Sequence, residues 1–487
     1  MATNNTKQAA WIAIGSLFSF GFGIISSMIL SRYFDKADYG TYKQVMYVYN
    51  TLLTVFTFGL PRAYSYFLPR IPNSQARSLI NKISRIFLLL GLVFSISLFC
   101  FSGVIAGLLK NEDLKVALKV FSIVPTLLLP TMGLEGILAT YKRTQFVATY
   151  TVFTRIVMLV FVVVPVAVFH GGYIEALIGF VCSSLISLLL ASYFKYLPIR
   201  NEGRDTCPIS FKEIFQFSIP LLLASLWGMI IDSSDQFFVS RYFGNEVFAD
   251  FSNGHMNMPF IGMIVGATTT VLSPIFSRLS HEHVNPRTDI FPVWKSVFEK
   301  SAKLVYPLVL YCILFADVIM VFLYGEQYKV SGIYFQIRLI TNFFSIIAFA
   351  PLLINTGKVK FYSNVHMYGA IILVVLEFIG IKIFNSPYAI SIISALCTIG
   401  RILIMLSAIS KWFEVSIWEL FPLKLIGELV FLPTLMLVGV RYLLIDICMF
   451  KPILVLVISV LAYGLLFLLY SFVVKLDYKS IIISLKR

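Results

Sequence analysis

Residues 11–34 read WIAIGSLFSFGFGIISSMILSRYF. An α-helix needs about 20 predominantly apolar residues to cross the hydrocarbon of a bilayer, and the run from Trp11 to Leu30 supplies them before it ends at Arg32. One lysine, Lys7, precedes the run and no small-residue cleavage site follows it, so the segment reads as a first span and not a removable signal. Similar runs recur through the 487 residues, of which 59% are hydrophobic and 13% charged. Soluble domains use roughly 45–50% apolar and 25% charged residues. A water-facing fold made from this chain would lack the polar surface to cover itself.

Hydropathy places about fourteen helices, at 10–31, 44–68, 84–109, 115–140, 146–169, 172–196, 213–241, 249–277, 303–323, 330–356, 361–384, 387–411, 420–444 and 452–475. With a cytoplasmic N-terminus, the segments assigned to the inside carry most of the Lys and Arg, which predicts that both termini are cytoplasmic. The formal charge of +15 is dispersed among short loops, so it marks topology and not a nucleic-acid-binding face. Two inside connections, Leu197–Lys212 and Arg278–Lys303, are longer than the others. The second ends in an amphipathic stretch, with Ile290, Phe291, Trp294, Val297 and Phe298 among Lys295, Glu299, Lys300 and Lys303. An interfacial anchoring helix is expected there.

Ser31-Arg32-Tyr33-Phe34 closes the first span, and Ser240-Arg241-Tyr242-Phe243 closes the seventh, 209 residues later. Tyr39 and Tyr42 follow the first copy at the offsets where Phe248 and Phe251 follow the second. Equivalent positions in the topology point to a duplication, and repeat-built transporters bind substrate between their halves. The predicted architecture is an all-α membrane protein with a first lobe over 1–205 (helices 1–6), a second lobe over 206–412 (helices 7–12), and additional helices 13 and 14 within 413–487.

Several chemistries are absent from the sequence. Cys100, Cys182, Cys207, Cys312, Cys397 and Cys448 stand singly, with no C-x-x-C pair, so neither a disulfide framework nor a zinc site is expected. His281-Glu282-His283 places its histidines two apart and lacks the H-E-x-x-H spacing that puts both on one helical face. His170, His255 and His366 are isolated. There is no phosphate-binding G-x-x-x-x-G-K-[ST] loop, and the loops are too short for a separate catalytic domain. No cofactor and no enzymatic activity are expected.

Leu30-Ser31-Arg32-Tyr33-Phe34-Asp35-Lys36-Ala37-Asp38-Tyr39-Gly40-Thr41-Tyr42 resembles the first periplasmic turn of the Wzx-type O-antigen and capsular polysaccharide flippases. Phe58-Gly59-Leu60-Pro61-Arg62-Ala63 is similar to their second helix, and Asp235-Gln236-Phe237-Phe238-Val239-Ser240-Arg241-Tyr242-Phe243-Gly244 to their seventh. Gln236 stands where that family often has a basic residue, and Ala249-Asp250-Phe251 where it has Gly-x-Tyr. The resemblance implies a V-shaped molecule whose cavity opens alternately to each side. It further implies a polyprenyl-diphosphate-linked oligosaccharide as substrate, a bacterial cytoplasmic membrane as location, and a glycan polymerase or ligase as partner alongside membrane lipids.

A diphosphate passing through a span calls for arginine, whose planar fork makes bidentate charge-assisted bonds to phosphate. An arginine at mid-membrane depth costs about 2.5–3.5 kcal/mol on insertion scales unless a cavity or partner receives it. Arg62, Arg155, Arg338 and Arg401 fall within the proposed spans and are the candidate substrate-binding residues, with Arg62 and Arg155 foremost because both lie well inside first-lobe helices. The alternative for each is a structural ion pair with Glu135, Asp232, Asp235, Glu377 or Glu428. Asp232 and Asp235, three apart on one helix, are candidates for coupling to H+ or Na+, or else members of a structural network with Ser233 and Ser234. Pro61, Pro220, Pro259, Pro274 and Pro351 interrupt spans and permit bending.

Two functions compete with the flippase: a cation-coupled multidrug exporter, usually of twelve helices with an acidic cavity, and a lipid II flippase, which has fourteen spans and a cationic cavity too. A membrane-embedded glycan polymerase or ligase would need a large outside loop, and no such loop is present. The topology is checked in a cysteine-free protein with single cysteines restored. Cysteines near Asn201 and Pro286 should be protected from an impermeant thiol reagent applied outside, and those near Asp38 and Asn245 should react; the reverse pattern would invert the orientation.

Overall fold

The computed structural model describes residues 2–258, 260–266, 268–269, 272, 276, 285–346, 352–354 and 357–478. Its helices divide between two units, Met1–Ala249 and Asp250–Arg487, and no strand occurs among the described residues. The first unit holds α1 (Ala2–Tyr33), α2 (Lys36–Phe56), α3 (Pro61–Phe67), α4 (Asn73–Leu109), α5 (Asp113–Phe121), α6 (Val124–Leu128), α7 (Leu134–Thr140), α8 (Thr144–Ala167), α9 (Tyr173–Tyr196) and α10 (Phe211–Gly254) as far as Ala249. The second holds α11 (Phe291–Leu314), α12 (Ala316–Tyr324), α13 (Ser331–Ile340), α14 (Val359–Phe384), α15 (Pro387–Phe413), α16 (Leu423–Arg441) and α17 (Pro452–Val473).

Ten helical segments among the described residues are long and apolar enough to cross a membrane, or eleven if the pair Pro286–Leu314 and Ala316–Tyr324 is one span bent by 73°. The other three expected stretches are 44–68, which is interrupted between α2 and α3, and 249–277 and 330–356, which run beyond the described residues. The all-α membrane fold is therefore as hydropathy predicts. Large apolar side chains such as Leu89, Ile96 and Val104 on α4, and Leu461, Leu465 and Phe472 on α17, are exposed. In a membrane protein these faces meet lipid.

In the first unit α1 packs on α8, α8 on α9, and α4 on α5 and α6. The start of α2, which follows the first copy of the sequence echo, meets the second copy here. α2 begins at Asp35, whose carboxylate accepts from the Asp38 backbone N–H at 2.7 Å, a standard helix-start bond. One turn on, Asn111 Nδ2 donates to Thr41 Oγ1 at 2.9 Å and to Gln44 Oε1 at 2.6 Å. Gln44 Nε2 in turn donates to Ser240 Oγ at 2.8 Å, and Asn245 Nδ2 donates to the Ala37 carbonyl at 3.2 Å. α10 bends at Gly244, where φ is +83°. This sets the Asn245 carbonyl so close to Gly40 that a Cβ there would lie 2.0 Å from its oxygen. Gly40 is thus required by a backbone contact, not by its own dihedral.

In the second unit α14 pairs with α15, and α16 and α17 pack on each other and on α11 and α12. The bend at Phe315 is held by Arg441, which donates from Nη1 and Nη2 to the two carboxylate oxygens of Asp317, each at 2.8 Å. Nη1 also donates to the Leu314 carbonyl at 2.5 Å. The expected interfacial helix is corrected: its residues form the first turns of α11, and its aromatic face is inside the protein. Trp294 and Phe298 are buried, with ring centroids 6.1 Å from Phe413 and 5.8 Å from Phe421 respectively. Partners more than a hundred residues away thus cover the face that looked destined for lipid.

Gly40→Ala tests the close approach. Overpacking of this kind costs about 1–3 kcal/mol, so the purified variant should melt at a visibly lower temperature, whereas Gly23→Ala, with open space around its Cβ position, should not. Equal melting of both variants would refute the contact.

Candidate functional site

Two helix breaks shape the interior of the first unit. Between α2 and α3 the chain turns through Phe58 (φ +54°) and Gly59 (φ +69°) before Pro61 restarts the helix. A Cβ on Gly59 would sit 2.8 Å from Leu221 Cβ and 3.0 Å from the Ser218 carbonyl oxygen of α10. After α6, a 3-10 turn over Leu129–Thr131 gives way to an extended Met132 and a left-handed Gly133 (φ +79°). A Cβ on Gly133 would come within 2.3 Å of the Tyr64 ring, so α3 and α7 pack tightly where both spans are interrupted.

Beside the second break lies a cavity of about 440 Å³ lined by side chains of α2, α6, α8, α9 and the 3-10 turn. Tyr49 forms part of its wall, stacked on Phe94 at 5.9 Å and edge-on to Phe121 at 5.3 Å. Hydroxyls dominate its polar surface. Ser183 and Ser184 donate to the Phe180 carbonyl at 2.8 and 2.7 Å, and Ser187 to that of Ser183 at 2.9 Å. Thr154 donates to Tyr150 O at 2.8 Å and Thr131 to Leu128 O at 2.7 Å. Tyr150 OH reaches Ser187 O at 3.3 Å. With their protons held by backbone carbonyls, these oxygens keep lone pairs for donors that enter. Asn50 adds an amide, and Arg155 adds the one cation among the lining residues.

Arg155 is exposed to that space. Its side-chain contact is a 3.5 Å approach of Nη1 to Met158 Sδ, and no carboxylate lies within salt-bridge distance among the described residues. Acceptor-rich walls and one unpaired guanidinium suit a ligand that carries both hydroxyl donors and an anion.

The other predicted site residues are dispersed. Arg62 is exposed in the first turn of α3 and does not line the cavity. Asp232 is exposed while Asp235 is buried, so two carboxylates three residues apart occupy different surroundings. Asp235 Oδ1 accepts from the Gln236 N–H at 2.8 Å, and Gln236 Nε2 donates to the Asp232 carbonyl at 3.0 Å. In the second unit Arg338 Nη2 donates to Asn257 Oδ1 at 3.1 Å. Arg401 runs beside Gly369, whose Cβ position is 3.2 Å from Arg401 Cδ, and Glu377 is fully buried on α14. His281-Glu282-His283, Pro259, Pro274 and Pro351 lie outside the described residues. All six cysteines are free thiols, and no cluster fit for a metal ion occurs among the described residues. Beyond the spans, burial first, and then Asp35 and Asp113, push the Asp38 carboxyl above its ordinary range.

Sequence reasoning missed the serines of α9, the Tyr150–Thr154 pair and the Asp317–Arg441 pair. Ser183 and Ser184 precede Ser187 by four and three residues, the spacings that bring side chains together on a helix, which is a weak signal because such hydroxyls are ordinary in membrane helices.

Residues 6–280, more than half of the chain, match the family described as polysaccharide biosynthesis protein. A Shigella flexneri protein provisionally designated an O-antigen transporter is 23% identical over 207 residues, 41% of this chain and 47% of the relative. The alignment thus spans about half of that relative's length. Among solved structures, the lipid II flippase MurJ in an inward closed conformation is similar with a TM-score of 0.69 at 16% identity, covering 96% of this chain and 99% of that one. The Vibrio cholerae MATE transporter VcmN is similar with a TM-score of 0.59 at 13% identity, covering 85% and 97%. The fold is thus shared with that flippase and that transporter, and the extent of the family match settles the narrower question: the chain belongs to the polysaccharide biosynthesis protein family.

Proposed function

We propose that this protein is a flippase that carries a polyprenyl-diphosphate-linked oligosaccharide from the cytoplasmic to the outer leaflet of a bacterial cytoplasmic membrane by alternating access, for O-antigen, capsule or a related surface polysaccharide. The observation that carries the reading is the hydroxyl-lined cavity of the first unit with Arg155 inside it and, among the described residues, no carboxylate within salt-bridge distance of that cation. Sugar hydroxyls donate to the serine, threonine and tyrosine oxygens, and a phosphate takes the guanidinium through charge-assisted bonds. Arg62, Arg338 and Arg401 are proposed as further cations along the path. Asp232 and Asp235 are proposed as the place where H+ or Na+ couples, and a glycan polymerase or ligase as the consumer of the product. The two six-helix lobes, 1–205 and 206–412, with both termini cytoplasmic, are the frame in which this is proposed to work. Transport, not catalysis, is the activity.

Lipid II transport is the second reading, favoured by the near-complete coverage of the MurJ fold. A multidrug exporter fits less well, because an organic cation would meet the like charge of Arg155.

Deleting the gene should leave synthesis of the glycan lipid intact, trap it at the cytoplasmic face and abolish the surface glycan. Unchanged surface glycan without a second flippase would reject the reading, and arrest of peptidoglycan export would favour lipid II. At the residue level, Arg155→Gln removes the cation. Losing a hydrogen bond to a charged group costs about 1.5–3 kcal/mol, so substrate affinity should fall roughly tenfold or more at normal membrane abundance. Arg155→Lys should recover part of it, because charge returns without the planar fork. Normal flipping per folded molecule in Arg155→Gln would remove Arg155 from the substrate site.

A further inference from the structure

Lys195, near the end of α9, is 3% exposed, and no carboxylate lies within salt-bridge distance of its ammonium among the described residues. Nζ donates instead to the Pro130 carbonyl and to Ser84 Oγ, the latter at 3.0 Å, and sits 5.7 Å from the centroid of the Tyr64 ring. Tyr64 OH shares Ser84 Oγ at 3.0 Å. Burying an ammonium is expensive unless its donors are satisfied, so what it binds identifies its task.

Pro130 lies in the 3-10 turn that ends α6, just before the left-handed Gly133. Carbonyls at such a break have lost their helical N–H partners and gather the negative end of the helix dipole, where a cation is favourable. The next two residues, Thr131 and Met132, line the cavity that holds Arg155. Lys195 is therefore bonded to the segment whose position sets the cavity wall. The far side of the same ammonium is anchored on α3 and α4 through Tyr64 and Ser84.

We propose that Lys195 is a positioning residue: its ammonium caps the broken helix at Pro130 and fixes the wall formed by Thr131 and Met132, so that the cavity keeps the width its ligand requires. The consequence for substrate rests on the flippase reading above, but the clamp itself does not.

The test uses full-length, otherwise cysteine-free protein with Thr131→Cys, and measures its reaction rate with a small permeant thiol reagent against a parallel protein retaining only Cys100, which is exposed on α4. Lys195→Met should raise the rate at position 131 about tenfold, the factor that corresponds to losing a charge-assisted bond, with Cys100 unchanged. Lys195→Arg should restore most of the native rate, and Tyr64→Phe, which keeps the ring, should leave it unaltered. Where the Met variant does not accumulate in the membrane, Lys195→Leu, which likewise cannot donate to Pro130, is read in the same way. An unchanged or lowered rate at position 131 in either folded variant overturns the proposal. Flipping assays separate the two claims: a raised Michaelis concentration with unchanged turnover at saturation supports both. A raised labelling rate with no change in that concentration supports the clamp and removes the cavity from the substrate path.

Discussion

Within hydrocarbon no water is at hand to satisfy a backbone amide or carbonyl, so a spanning helix is permitted to break only where the protein itself supplies the missing partners. This constraint explains where the helices of this chain are interrupted and what surrounds the interruptions. Between α2 and α3 turn bonds persist, with Thr57 N–H on Leu53 O at 2.9 Å and Leu60 N–H on Thr57 O at 3.0 Å, and α10 packs over Gly59. At the other two breaks a side-chain cation reaches the exposed carbonyl: Lys195 at Pro130 and Arg441 at Leu314. The same chemistry recurs at helix ends and loops, where Arg241 meets Leu108 O at 2.5 Å and Lys82 meets Cys207 O and Ile209 O at 2.7 and 2.9 Å. Part of the basic excess thus caps carbonyls, a role separate from orientation in the membrane.

The spans were legible because hydropathy averages over some twenty residues and tolerates errors of detail. The breaks were legible unevenly. Phe58-Gly59-Leu60-Pro61 advertises its turn through Gly and Pro, whereas Leu314-Phe315-Ala316 contains neither, and its 73° bend follows from a long-range pair, Asp317 with Arg441. The amphipathic stretch at 290–303 was misleading for a related reason. A periodic aromatic face says that something apolar covers it, but whether lipid or protein does so is decided by residues as distant as Phe413 and Phe421.

At the site, Arg155 stood out because a cation inside an apolar helix demands a reason. The echo of Ser31–Phe34 and Ser240–Phe243 was also readable, although its physical content, Gly40 against the Asn245 carbonyl with Gln44 joined to Ser240, needed coordinates. The α9 serines and Lys195 were not readable. Serine in a span ordinarily bonds back to its own helix, as these do, so the pattern carries no sign that the free lone pairs face a cavity. A lysine one residue from a helix end looks like a side chain that snorkels to water, and only the packing of α3, α4 and the 3-10 turn around it reveals that it points inward.

Three cations in the helical interior illustrate how partner choice divides structure from function. Arg441 has a bidentate carboxylate and a carbonyl, so its charge is balanced and its geometry fixed, and such a group holds a bend. Lys195 has neutral acceptors and an aromatic face, which satisfy its donors and tie three elements together without cancelling its charge. Arg155 touches a thioether, has the Tyr49 and Tyr150 rings in the same wall and no carboxylate within salt-bridge distance among the described residues, and is open to a cavity whose other polar atoms are mainly acceptors. An uncompensated guanidinium in that setting remains favourable only while water or an anion occupies the space beside it. The gradient from paired to capped to open, and not the presence of arginine as such, is what distinguishes a binding group from a strut in this fold.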